Sequence, residues 1–177
     1  MRKIVFFVFC VSIFGKALGQ TWQPVTADVG FTAKMFGASV EGKFKKMGAV
    51  IKFDPENLGG SSIVANVDAT TIDTDNSLRD RHMREKSDFF EVAKYPKITM
   101  KSTKIEKAGN GYVGYFELTV KSITKNLKVP FTFTSSGDKG TFNANVGINR
   151  RDWGIGGGTL GMSNDVTIKI LVNTVSK

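Results

Sequence analysis

The sequence predicts an all-β fold, a single domain of antiparallel strands arranged as a sandwich or a barrel. Three observations carry this. Apolar residues recur with period two over most of the chain, the spacing that gathers them on one face of a strand. Tight-turn residues separate these runs at short intervals. No internal repeat, linker or low-complexity segment divides the chain, and its 177 residues suffice for one sizeable core.

Composition narrows the function classes. With 41% hydrophobic and 23% charged residues, neither a disordered tail nor a polytopic membrane protein fits. One His and one Cys leave too few ligands for a metal cage, a His-based triad or a disulfide scaffold.

The first nineteen residues stand apart. Met1-Arg2-Lys3 is a cationic start, Ile4 to Phe14 is apolar except for Ser12, and Ala17-Leu18-Gly19 offers the small residues a signal peptidase reads. The order predicts a secretory signal over residues 1–19, and a domain over residues 20–177. The apolar run is about half of the ~20 residues a bilayer span requires. Cleavage removes Cys10, leaving no cysteine, so the mature chain must rest on its core. Without Arg2, Lys3 and Lys16 the 25 Lys and Arg fall to 22 against 16 Asp and Glu, a net +6 that favours anionic surfaces. The expected location is periplasmic or secreted.

The strands follow in order. Val29, Phe31, Ala33 and Met35 alternate with polar or small neighbours, and Glu41 to Phe44 and Ala49 to Phe53 continue the pattern. Ile63, Ala65 and Val67 form the next face, then Ile98 with Met100. Tyr112, Gly114, Phe116, Leu118 and Val120 share one side, as do Leu127, Val129, Phe131 and Phe133. Phe142, Ala144, Val146 and Ile148 precede a last run of Val166, Ile168, Ile170 and Val172. Turns are expected at Met35-Phe36-Gly37, Asp54-Pro55-Glu56-Asn57, Gly59-Gly60, Ala108 to Gly111 and Ser135 to Gly140. Pro130 inside a strand pattern implies an edge or a bulge there.

Asp75 to Val92 breaks the period. It is a crossing segment with a short helix around residues 77–86, capped by Asp75, Asn76 or Ser77. Its apolar side comprises Leu78, Met83, Phe89 and Phe90. Asp80 lies on the wrong side of a helix to orient His82, and no other His or Cys joins it as a metal ligand, so it is a half-exposed histidine or a hydrogen-bonding group at a ligand head. Arg79, Arg81, Arg84 and Lys86 are a solvated cluster or an anion site. Nucleic acid is not an expected partner, because no stacking aromatics interleave with the basic residues. Gly154-Ile155-Gly156-Gly157-Gly158 lacks the Lys-Ser/Thr and the helix of a phosphate loop and reads as a flexible connection. Asp73, Asp75, Asp80 and Asp88 lack calcium-loop spacing and read as surface and capping residues. The apolar faces admit either a packed interior or an apolar cavity, with Ala33, Ala65, Gly114 and Ala144 leaving room.

Arg79-Asp80-x-His82-Met83, then Asp88-Phe89-Phe90 and Tyr95-Pro96-x-Ile98, resemble the YceI-like family. Phe44, Phe53-Asp54-Pro55, Ile123-Thr124-Lys125 and Asn149-Arg150-x-Asp152-Trp153-Gly154-Ile155 extend the resemblance in order along almost the whole mature chain. Lys121-Ser122 stand where many members have His-Gly, and Trp153 replaces the usual Phe.

The resemblance implies a single extended, lipocalin-like antiparallel barrel whose apolar cavity holds a polyisoprenoid or other long-chain amphiphile. The expected function is transport or storage of such a molecule (a polyisoprenoid, isoprenoid quinone or fatty acid derivative), with no catalysis and no cofactor. Expected lining residues are Phe31, Met35, Phe44, Phe53, Met100, Phe116, Leu118, Phe131, Phe133 and Phe142, with Met83, Phe89 and Phe90 as a lid. Expected head-group residues are Arg79, His82 and Arg150. Transient membrane-surface contact and a homodimer are further expected associations. Two other readings use the same residues: a protein–protein adaptor with a filled core, and an enzyme acting on an apolar small molecule.

Overall fold

The computed structural model describes residues 20–177, so the expected signal segment and Cys10 lie outside the described residues. The strands are β1 (Thr21–Met35), β2 (Ala38–Phe44), β3 (Met47–Lys52), β4 (Ser62–Asp68), β5 (Ile72–Asp73), β6 (Lys97–Ala108), β7 (Gly111–Val120), β8 (Ile123–Ser136), β9 (Lys139–Asn149) and β10 (Met162–Ser176), with helix α1 (Ser77–Glu85) between β5 and β6. Neighbours pair in the order β10-β9-β8-β7-β6-β4-β3-β1, and β10 pairs again with β1. Eight antiparallel strands thus close into a barrel, the architecture the resemblance implies. The closing seam runs from Trp22 opposite Ser176 to Met35 opposite Met162, so the long first and last strands hydrogen-bond each other instead of exposing edges.

Two local features shape the wall. β2 and β3 lie along β1 in one register, with Phe44 opposite Val29 and Ile51 opposite Trp22, but the ladder breaks between them. Pro24, which has no N–H, sits in that interval beside a register shift against β10. There β3 leaves to pair with β4, and the Phe44 end of β2 takes up β5. On the far side, β8 pairs with β9 only from Phe131 to Ser136. Pro130 marks where that ladder ends, so of the two expected settings the edge is the one observed. The short 3-10 turn Arg150–Trp153 packs beside the unpaired length, with buried Trp153 donating Nε1–H to Leu118 O at 3.1 Å.

The two ends of the barrel differ. Phe53 has no exposed surface and meets the rings of Tyr112, Phe131, Phe133 and Phe142 at centroid distances of 5.0, 5.7, 5.0 and 5.4 Å. Trp22 closes this packed end edge-on to Phe133 and donates its Nε1–H to Phe53 O at 2.9 Å. The crossing segment covers the opposite end. Asn76 caps α1 by accepting from Arg79 N–H at 2.9 Å, which selects one of the three expected caps. Buried Asp80 accepts from Thr74 N–H at 2.9 Å and Thr74 Oγ1–H at 2.5 Å, tying the helix to the end of β5. Met83, on the face turned inward, packs with Val29 and Phe44, and Phe90 meets the Phe44 ring at 5.8 Å.

Candidate functional site

Between the aromatic end and the crossing segment the barrel is hollow. The cavity measures about 220 Å³ and is bordered by inward residues of the eight wall strands together with Phe44, Met83, Phe90, Trp153 and Ile155. Its origin is a mismatch of side-chain size: Ala33, Ala49, Ala65 and Ala144 occupy inward positions that Leu or Phe would fill. Ile98, Met100, Leu118, Leu127, Ile168 and Ile170 therefore point inward yet are only half-buried, their remaining surface facing empty space. Engineered apolar cavities of roughly 150 Å³ stay dry and accept benzene. A slightly larger apolar space has the same preference for an apolar occupant.

Of the residues that border the cavity, only Asn66, Thr99, Asn143 and Arg150 are polar. Strand alternation directs the first three side chains outward. Arg150 is the single charge. The residue is 3% exposed, and its guanidinium donates to the carbonyls of Ser163 (Nε, 2.8 Å), Ile155 (Nη1, 2.5 Å) and Met162 (Nη2, 3.1 Å). Burial, aided by the neighbouring charge of Arg151, pushes its pKa below the usual arginine value. It holds the glycine-rich connection shut around itself. Gly156, at φ 71°, is required there because a Cβ would lie 2.7 Å from Arg150 Nη1.

A second cavity of about 390 Å³ adjoins the first and shares Phe31, Ala33, Met83 and Met162 with it. Its remaining border includes Lys34, Met35, Arg79, His82, Lys86, Asp88 and Phe89. Charged side chains rim this vestibule, and the four shared residues lie between it and the apolar interior. Arg79 is anchored by Nε–H donation to Thr74 Oγ1 at 2.7 Å and Nη2–H donation to Thr74 O at 2.6 Å. His82 is exposed on α1.

The expected lining residues divide three ways. Phe31, Phe44, Met83, Phe90, Met100, Phe116, Leu118, Phe131 and Phe142 border the apolar cavity. Phe53 and Phe133 do not; they are spent on the packed aromatic end, where ring–ring contact leaves no void. Met35 and Phe89 border the vestibule rather than the interior, because they lie at the barrel rim. Gly114 leaves no room either, since the Phe116 ring folds back over it. Arg79 and His82 come together in the vestibule, whereas Arg150 lies deeper and engages backbone carbonyls. Lys121, at φ 55° in the β7–β8 turn, donates to Ser87 O at 2.5 Å and binds that turn to the crossing segment. Most of the wall is aliphatic rather than phenylalanine: Val29, Ile51, Ile63, Val67, Val129 and Val146 are examples. The same period-two runs contained them. Lys86 belonged to the basic cluster read as a solvated group or an anion site, whereas Lys34 was legible only as a polar position of its strand.

Comparison with known proteins agrees with this architecture. The YceI-like domain model matches residues 21–174. A UPF0312 protein of Vibrio cholerae is 30% identical over 159 residues, 85% of this chain and 82% of the relative. The crystal structure of Burkholderia cenocepacia BcnA superposes with a TM-score of 0.79 at 29% identity, covering 83% of this chain and 95% of that one. A polyisoprenoid-binding domain from Saccharophagus degradans has the same fold at 14% identity, with a TM-score of 0.69 over 90% of this chain and 99% of that one. The domain match runs from the start of β1 into β10, the two strands whose pairing closes the barrel, and on that extent the chain belongs to the YceI-like family.

Proposed function

We propose that this protein is a non-catalytic carrier or store, exported from the cell, that holds the apolar chain of an isoprenoid, quinone-like or fatty amphiphile inside its barrel. The observation that carries the reading is the apolar cavity in the closed barrel, set beside a polar vestibule. Burial of apolar chain surface is worth about 25 cal/mol per Å² and requires no polar partner in the wall. The structure with the same fold from Saccharophagus degradans is named for polyisoprenoid binding, which fits this ligand class. Against catalysis, the one imidazole is exposed, and Asp80, the carboxylate nearest in sequence, is turned to Thr74.

The size of the cavity constrains the ligand. At about 220 Å³ it lies below the roughly 300 Å³ at which drug-sized pockets begin, so it suits one slender chain rather than a bulky ring system. Native mass spectrometry of the protein with an added prenyl alcohol tests the reading. The expected result is a one-to-one complex, lost in the double variant Ala65→Leu/Ala144→Leu while thermal stability is kept or raised. A native protein that takes up no apolar chain, or a filled variant that binds as well, contradicts it.

A further inference from the structure

More cations than carboxylates border the vestibule. Lys34, Arg79 and Lys86 border it, with Asp88 the one carboxylate and His82 the one imidazole. The ion pairs among the described residues, Lys45–Asp73 and Lys104–Glu106, involve none of these groups. Arg79 spends two of its five N–H donors on Thr74, and this anchoring fixes the guanidinium at the rim with donors to spare. Lys34 and Lys86 are exposed, one on β1 and the other at the C-terminal cap of α1, so the cations come from both sides of the space. One residue further in, the wall becomes apolar at Phe31, Ala33, Met83 and Met162, the four residues common to both cavities.

We propose that the vestibule is an anion-binding head-group site, so that the amphiphiles this barrel selects are those ending in a carboxylate or phosphate. The inference rests on the carrier reading and adds the class of head group. The apolar chain passes between Phe31, Met83 and Met162 into the barrel, and the anionic end stays among Lys34, Arg79 and Lys86. Arginine offers the paired donors that match a carboxylate or phosphate, and the two lysines add charge. Arg150 is not part of this site, because carbonyls of the β9–β10 connection and the start of β10 occupy most of its donors.

The test compares dodecanoate with dodecanol, two probes with the same chain length and different heads. Both are titrated calorimetrically into the full mature chain, below micellar concentration and well above the carboxylic acid pKa. Dodecanoate is expected to bind about tenfold more tightly, the scale of one or two charge-assisted hydrogen bonds. Added salt narrows the difference. In Lys34→Gln/Lys86→Gln, and separately in Arg79→Gln, the ratio of the two affinities falls toward one. Equal affinity for both probes in the native protein overturns the head-group site and leaves the carrier reading standing. A preference that persists undiminished in both variants also overturns it. If neither probe binds, both readings fall together.

Discussion

Phe53 and Met100 show what the same apolar chemistry does at two depths of one barrel. Phe53 is wholly enclosed by aromatic rings, so Phe53→Ala removes close contacts on every side. Loss of about 3–5 kcal/mol is expected, read as a drop in the urea midpoint. Met100 borders the cavity and already lacks neighbours on one side, so Met100→Ala is expected to cost roughly 2 kcal/mol or less. Equal losses at both positions would contradict a division into packed and hollow ends. The sequence told which of these residues face inward and could not tell how much packing each meets. Strand alternation is a statement about faces; a void depends on which residues the neighbouring strands bring level with it. Gly114 makes the point in reverse: a small residue in the pattern promised space, and its neighbour's ring took it.

Among the elements, the crossing segment is held by a few hydrogen bonds together with the packing of Met83 and Phe90 against Phe44. Its helix was legible from the capping residue, the broken period and the charge density, and it spans Ser77–Glu85. Its attachment was not legible, because Asp80 reads as a surface carboxylate until β5 brings Thr74 beside it. Asn76→Ala is expected to cost about 1 kcal/mol through the lost cap. Asp80→Ala leaves the buried Thr74 donors unpaired and is expected to cost about 1–3 kcal/mol. Hydrogen exchange should show the second change releasing amides of α1 and the following segment while the strands keep their protection. Uniform loss across the barrel would mean that the segment is part of the global folding unit instead.

At the scale of the whole molecule, charge acts at the surface and the core does the holding. Lys45 donates to Asp73 at 2.8 Å and holds that carboxyl below its ordinary pKa; Lys104 does the same to Glu106, and Thr70 to Asp68. Depressed carboxyl values contribute stability that is present above the unfolded pKa of about 4 and lost as pH falls through the folded value. The partner lysines Lys45 and Lys104 are raised by the same hydrogen bonds, so their share is complete below about pH 10.5 and lost above it. These groups are exposed, so thermal unfolding should be nearly flat between roughly pH 5 and 9, with shallow declines outside that added salt reduces.

The amino-acid order alone determined the strand class, the approximate elements, the short helix and the family motifs, because period two, turn chemistry and capping act over a few residues. Three matters waited for the tertiary structure: closure of β1 onto β10, the boundary between aromatic plug and cavity, and the conversion of Arg150 from a candidate head-group ligand into the anchor of a glycine-rich connection. The first two depend on residues far apart in the chain being brought to one height along the barrel, and the third on a connection that folds back on Arg150. That height is set by the pairing of all eight strands together, and no single stretch of sequence encodes it.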